Sequence, residues 1–191
     1  MGKYLEIRWQ GQAGQGVMTA AELLAEILAQ EGKYVQAFPE FITQKQASSI
    51  QAFNRLSDFP IKRHAGLINA DVVVLMDARL LLDVSVKKNT ADNASYVVNT
   101  YFTPDYVREK LNLSEANPIY TLDADTIANE EIGRLLPNIP LMTVVLEATH
   151  LITMGNFRES LKKTLSQKYN PELAAANIRT VERALSEVKR L

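Results

Sequence analysis

Three glycines within six positions, Gly11-Gln12-Ala13-Gly14-Gln15-Gly16, are the stretch of this chain best suited to meet a ligand through its backbone. Glycine lets a chain turn tightly and approach another group closely, because no Cβ stands in the way. Before the turn, Tyr4-Leu5-Glu6-Ile7-Arg8-Trp9 alternates in the manner of a strand. After it, Thr19 to Gln30 sets Ala20, Leu23, Leu24, Ile27 and Leu28 on one helical face. The glycines therefore join a strand to a helix whose N-terminus offers unpaired N–H groups and a partial positive charge, a setting for an anion. Their order is G-x-x-G-x-G, not the G-x-G-x-x-G of dinucleotide sites. Where a ribose-binding acid would stand, about 20 positions on, the chain reads Tyr34-Val35-Gln36-Ala37-Phe38, and the first acid is Glu40. No Gly-Lys-Ser/Thr follows, so this is not a P-loop. Two readings stay open: a turn that packs a helix on a sheet, or a phosphate or cofactor contact through Gly11, Gly14, Gln15 and Gly16.

A second polar stretch, Ile42 to Ser49, holds Gln44, Lys45, Gln46, Ser48 and Ser49. It reads as a loop, and Lys45 offers one positive charge to a carboxylate or phosphate; a plain solvated loop is the alternative. Asp77 ends a strand at the edge where ligands of open α/β sheets gather, or else caps the helix that follows. Complete catalytic machinery is not visible: there is no Ser-His-Asp or Cys-His arrangement. Glu130-Glu131 reads as a solvated helix face. His64 lies in the basic run Lys62-Arg63-His64, and His150, on an apolar helix, reads as a hydrogen-bonded core or interface residue. The two histidines have no metal-ligand spacing. With no cysteine, the chain cannot ligate an iron–sulfur cluster by thiolate, form a disulfide or use a thiol nucleophile.

The rest of the chain supplies the strands and helices that hold these groups. Gly32 stops the first helix. Lys33 to Phe38 reads as a strand broken by Pro39-Glu40-Phe41. Ile50 to Leu56 is a further strand, with an extended piece near Ile61 as its hairpin partner. Asp71 to Asp77 is a β-branched run suited to a central parallel strand. Ser95 to Asn99 and Ile119 to Leu122 read as strands, Pro104 to Leu111 and Asp123 to Leu136 as helices. From Leu141 on, everything reads as helix: an almost wholly apolar one to Met154, an amphipathic basic one over Phe157 to Lys168, and a last one after Asn170-Pro171. The apolar helix carries the expectation that the chain alone is sticky or dimerises.

The 191 residues suit one α/β domain, and an apolar fraction of 47% suits a globular fold. A net charge of −1 leaves no footprint for nucleic acid or an anionic membrane. Met1 leads directly into a strand, and no apolar run reaches about 18 residues. The expectation is a cytoplasmic protein without a membrane span.

Glu6-Ile7-Arg8-Trp9, the glycine turn, Thr19-Ala20-Ala21-x-Leu23 and Gly32-Lys33-Tyr34-Val35-Gln36-Ala37-Phe38-Pro39-Glu40-Phe41 together resemble the gamma subunit of pyruvate and related 2-oxoacid:ferredoxin oxidoreductases. Ile50-Gln51-Ala52-Phe53-x-Arg55 and Asp71-Val72-Val73-Val74-Leu75-x-Asp77 continue the resemblance. It implies a Rossmann-like, open, mostly parallel α/β sheet over residues 1–140, with C-terminal helices over 141–191 packed on it as one gamma-type domain. It implies an enzyme that oxidatively decarboxylates a 2-oxoacid on thiamine diphosphate with magnesium, passes electrons through iron–sulfur clusters and releases acyl-coenzyme A. This chain would hold none of those cofactors wholly. It would sit beside thiamine-binding alpha and beta subunits and a ferredoxin-like delta subunit, with an electron-transfer flavoprotein as a further partner, and help close the coenzyme A approach through Gly11, Gly14, Gln15, Gly16 and Lys45.

The chain departs from the family pattern at Ala13, where a glycine is usual. It departs again over Ile42 to Ser49, where Gly-Pro-Glu-Arg-x-Gly-Ala-Pro is usual, and around Thr143-Val144, where Gly-Ala is usual. These differences bear on the substrate, which the family draws from several 2-oxoacids, pyruvate and aromatic ones such as phenylglyoxylate among them. Two other functions remain open: a stand-alone nucleotide-binding α/β enzyme, and a purely structural assembly subunit.

Overall fold

A computed structural model describes residues 4–40, 49–62, 66–67 and 69–191. The strands are β1 (Leu5–Gly11), β2 (Tyr34–Glu40), β3 (Ile50–Ser57), β4 (Ala70–Leu75), β5 (Thr90–Asn99), β6 (Ile119–Leu122) and β7 (Lys189–Arg190). The helices are α1 (Val17–Gln30), α2 (Pro104–Leu111), α3 (Ala124–Ile132), α4 (Asn138–Thr149), α5 (Met154–Lys168) and α6 (Pro171–Glu187), with 3-10 turns over Ala78–Leu82 and Val84–Lys87.

The seven strands form one open sheet in the order β2-β3-β1-β4-β5-β6-β7. β1, β4, β5 and β6 pair in parallel. β3 runs antiparallel to both β1 and β2, and β7 antiparallel to β6. Five of the seven strands thus share one direction, and the expected α/β class holds.

β1 shows how the two faces are divided. Its even positions, Glu6, Arg8 and Gln10, lie opposite to Ile7 and Trp9, which join the core under α1. Trp9 donates its indole N–H to Asn54 at 2.8 Å, and Asn54 in turn donates to the Ala21 carbonyl at 2.8 Å. One amide thus satisfies a buried Trp and fastens β1 and β3 to the first helix. α1, α3, α4, α5 and α6 contribute to this core. The 3-10 turns and α2 pack on the other face with Val73, Leu75, Tyr96, Val98 and Ile119.

β4 is the buried central strand expected, paired in parallel on both sides. α1 ends as expected: Gly32 adopts φ +79°, and the N–H groups of Gly32 and Lys33 return to the carbonyls of Ala29 and Leu28.

Several expectations are corrected. Pro39 does not break β2; it pairs opposite Ala52, which the sheet tolerates because β2 is an edge strand. The partners of β3 are β1 and β2, and Ile61 is not in a strand. α3 stops at Ile132, where Gly133 takes φ +68°, rather than running to Leu136. The apolar helix is α4, ended early by His150 at φ +52°. His150 is exposed, a helix terminus and not a core residue. Nor does α4 present spare apolar faces: Asn138 to Leu146 are all buried, between α1, α3, α6 and the sheet. The reason for expecting a sticky chain therefore falls away. The C-terminal segment is not all helix, since β7 returns to pair with β6. Glu130 and Glu131 are not merely solvated; they pair with Arg183 and Arg179 of α6. Arg63 and His64 lie outside the described residues.

Candidate functional site

β1 sends its crossover helix to one face, whereas the connections after β4 and β5 use the other. The boundary between β1 and β4 is therefore a topological switch point, where ligands of open α/β sheets bind beyond the carboxyl ends of the strands. The glycine turn leaves β1 there, and Asp77 leaves β4 beside it.

The glycines have different reasons. A Cβ on Gly11 would lie 2.8 Å from Gln15 Oε1, 2.9 Å from Val17 Cγ2 and 3.0 Å from Met76 Cβ, so close packing excludes a side chain. Gly14 and Gly16 instead hold φ of +88° and +76°, which L residues adopt only with strain. Gly14 is exposed with open space beside it, whereas Gly16 backs onto Asn138 at the start of α4. Gly16 begins α1 without a side-chain cap, and the first turn carries no acid. The first α1 N–H groups thus receive no side-chain cap from Gly16.

Gln15 closes the turn from inside. Its Oε1 accepts the Gln12 N–H at 2.7 Å, and its Nε2 reaches Asp77 Oδ2 at 3.4 Å. Asp77 accepts the Arg79 backbone N–H at 2.9 Å, which makes it the expected cap, here of a 3-10 turn. It also accepts Arg79 Nε at 2.9 and 3.1 Å through its two oxygens. That guanidinium holds the Asp77 carboxyl below its ordinary range, with the Gln15 bond adding to the effect and burial opposing it.

The next strand end adds Asn99. This buried amide donates to the Met76 carbonyl at 3.0 Å and to Asp125 Oδ2 at 2.8 Å, and accepts the Ala124 N–H at 3.0 Å. It locks the end of β4 to the start of α3. Asp125 is pushed up from its ordinary value by burial; the Asn99 bond works against this, and Asp123 and Asp77 add repulsion.

Together these groups line a cleft of about 320 Å3, bounded by Gln15, Asp77, Arg79, Asn99, Tyr101 and Asp125. Of the residues expected from sequence, Gln15 lines the cleft, Gly11 and Gly16 shape the turn behind it, and Gly14 is at its exposed tip. Lys45 lies outside the described residues. Sequence reading missed Arg79, Asn99, Tyr101 and Asp125. The signal that finds Asn99 is its place as the last residue of a parallel strand, the position Asp77 follows on β4. Among the described residues, no group of three or more His, Cys, Asp or Glu is placed to hold a metal ion.

An open, mostly parallel sheet with a glycine turn at its switch point and a polar cleft at its carboxyl edge defines a Rossmann-like α/β unit. The chain belongs to the pyruvate ferredoxin/flavodoxin oxidoreductase family, whose model matches residues 6–187. It is 35% identical over 187 residues to the pyruvate synthase subunit PorC of Thermotoga maritima, covering 98% of this chain and 96% of that one. It is 37% identical over 172 residues to the pyruvate/ketoisovalerate oxidoreductases common subunit gamma of Thermococcus litoralis, covering 90% and 92%. The crystal structure of the Thermotoga maritima subunit superposes with a TM-score of 0.82 over 99% of both chains. A 2-oxoglutarate:ferredoxin oxidoreductase of Magnetococcus marinus, solved with 2-oxoglutarate, coenzyme A and succinyl-CoA, shares the fold at a TM-score of 0.68 and 19% identity; the match covers 97% of this chain and 31% of that one. This chain is accordingly a gamma-type subunit of a multi-subunit pyruvate/2-oxoacid:ferredoxin oxidoreductase.

Proposed function

We propose that this chain completes the coenzyme A approach of a 2-oxoacid:acceptor oxidoreductase that forms acyl-coenzyme A. The observation that carries this is the uncapped start of α1 behind Gly14 and Gly16, at the switch point beside the Asp77 cleft. Such a terminus suits the phosphates of a coenzyme. Thiamine diphosphate with magnesium supplies the decarboxylation chemistry from alpha and beta subunits, and clusters carry the electrons in a ferredoxin-like delta subunit. A chain without cysteine leaves thiolate ligation of a cluster to such partners. Gly11, Gly14, Gln15 and Gly16 form or brace the coenzyme turn, and Lys45 adds a cation to the entrance. The complex is cytoplasmic and acts on pyruvate or another 2-oxoacid, aromatic ones included, with ferredoxin or a flavoprotein as acceptor.

Purification of the native complex tests this reading. The chain should come down with subunits carrying thiamine diphosphate and iron–sulfur clusters, and a complex lacking it should still decarboxylate the 2-oxoacid but lose coenzyme A-dependent product formation. A lone, active monomer would point instead to a stand-alone enzyme. Lys45→Ala should raise the apparent KM for coenzyme A or 2-oxoacid by up to about tenfold, or about 1.4 kcal/mol. Unchanged constants for both would leave Lys45 without a part in ligand binding.

One observation favours a second reading, a purely structural subunit: Gln15 already fills the inside of the turn and bonds the Gln12 N–H. In that case removal of the chain would abolish assembly without any separate effect on coenzyme A.

A further inference from the structure

We propose that a second cavity, at the amino edge of the sheet, binds a free amino acid with an apolar side chain. It lies between the start of β5, the end of the second 3-10 turn and the loop that leaves α2, and its volume is about 390 Å3. That falls within the range of small-molecule sites, roughly 300–1,000 Å3. β5 keeps it apart from the cleft beside the glycine turn. Asp92, near the start of the strand, lines this cavity, and Asn99, its last residue, lines the cleft, which puts roughly 20 Å between them. The proposal therefore stands apart from the coenzyme reading and does not need it.

Tyr96 carries the argument. It is 1% exposed, and its hydroxyl bonds to none of the described residues. A buried phenol ordinarily finds a partner, because an unpaired one forfeits the hydrogen bond that water gave it. Tyr96 lines the cavity, so a group seated there supplies that partner. The other buried polar side chain of the lining, Asn117, is fully used. Its amide donates to the carbonyls of Asp92 and Ala94, each at 3.0 Å, and its oxygen accepts the N–H and hydroxyl of Ser114 at 3.1 and 2.9 Å. Arg108 holds the same loop through the carbonyls of Ser114 and Asn117. The walls are thus fixed by the protein itself, and Tyr96 is left for a ligand.

The rim charges select that ligand. Lys87 and Asp92 both line the cavity, and among the described residues neither has an ion-pair partner. Lys87 Nζ gives one N–H to the Asn112 carbonyl at 3.2 Å, which leaves two for a carboxylate. The hydroxyls of Thr90 and Ser114 donate to the protein, to the Lys87 carbonyl at 2.8 Å and to Asn117, so toward a ligand they act as acceptors. A carboxylate therefore fits Lys87 and the Tyr96 hydroxyl, and an ammonium fits Asp92 and the acceptor oxygens. A ligand with one charge would answer only one side of the rim; a zwitterion answers both. Ala91 and Leu113, the apolar part of the lining, suit an aliphatic side chain.

Equilibrium dialysis of labelled L-leucine against the purified full-length chain tests the assignment. Saturable binding is expected, weakened about tenfold or more by Tyr96→Phe, Asp92→Asn or Lys87→Gln, the loss that goes with one hydrogen bond to a charged group. Melting temperatures show that the variants fold, and should Tyr96→Phe not fold, the two exposed rim positions carry the test. The analogues 4-methylpentanoate and 3-methylbutylamine each lack one of the two charged groups and should compete at least tenfold more weakly than unlabelled leucine. Gln15→Ala, at the other cleft, should leave leucine binding unchanged. No saturable binding of L-leucine or L-valine overturns the proposal, as does binding that all three variants retain or that Gln15→Ala removes. Equal competition by 4-methylpentanoate overturns the amino acid in favour of a simple anion.

Discussion

Gln15 and Asp77, 62 positions apart in the chain, meet at 3.4 Å and join the glycine turn after β1 to the acid that follows β4. The same Gln15 side chain accepts the Gln12 N–H at 2.7 Å, so one residue both closes the turn and fixes its distance from the cleft. Gln15→Ala leaves the Gln12 N–H to solvent and lets the turn move. The expected loss of stability is about 0.5–1.5 kcal/mol, the worth of one such bond. The expected rise in KM for coenzyme A in the assembled enzyme is larger than that loss accounts for. Steady-state kinetics beside thermal melts would show it, and an unchanged KM would make Gln15 a packing residue only.

Gly11 and Gly14 should fail for different reasons. Gly11→Ala must displace Val17 or the Met76 stem and costs about 1–3 kcal/mol by overpacking. Gly14→Val meets no neighbour, but it forces a β-branched residue to φ +88° and costs about 1–3 kcal/mol as strain. Asn tolerates that region, so Gly14→Asn should recover much of the stability that Val loses, whereas Gly11→Asn should not. Melting temperatures of the four variants decide the matter. If Asn rescued both positions, the assigned causes would be wrong.

Charge pairs should divide sharply by burial. Arg55 Nε lies 2.7 Å from Glu6 Oε1 with side chains 1% and 7% exposed, and the guanidinium is also 5.4 Å from the Phe38 ring centroid. Arg55→Met removes the guanidinium from a buried ion pair and should destabilise the fold by about 3–5 kcal/mol. Arg183 pairs with Glu130 and Glu187 on the surface, and Arg183→Ala should cost about 1 kcal/mol or less, shrinking further in salt. Denaturant titrations at low and high salt would separate the two. Similar losses at both sites would contradict the burial argument.

Asp77 and Asp125 should answer to pH in opposite senses. Asp77 has a folded-state pKa below its ordinary 3.8, so its contribution is present above that value and is lost as pH falls through the lower folded value. Asp125 has a folded pKa above 3.8, so the native state binds the extra proton and stability falls as pH rises from 3.8 through the raised value. Asp125→Asn should therefore stabilise the chain at pH 7 and do little near pH 3, and the amide oxygen can still accept from Asn99. Asp77→Asn should destabilise at pH 7 and less so near pH 3. Urea midpoints at the two pH values test both signs.

The local sequence determined much of this protein. Alternation and β-branching specify β1, β3 and β4. Pro104 and Ile119 to Leu122 mark an element start and a whole strand, and Asn170-Pro171 opens the last helix with a side-chain cap to the Leu173 N–H. The glycine turn and its helix are equally local, as was the family resemblance carried by contiguous motifs. These features were legible because each rests on neighbours within a few positions, where side-chain period and backbone freedom are written directly. Other matters were decided only by the fold. Pro39 stays in a strand because β2 came to lie at the sheet edge. α4 is covered because α1, α3 and α6 converge on it, which an apolar sequence cannot announce. The cleft depends on the parallel pairing of β1, β4 and β5, which brings Gln15, Asp77, Asn99 and Asp125 together from four separate chain segments. No local pattern encodes those distances: the sheet order fixes them, and that order follows from burying both sheet faces at once.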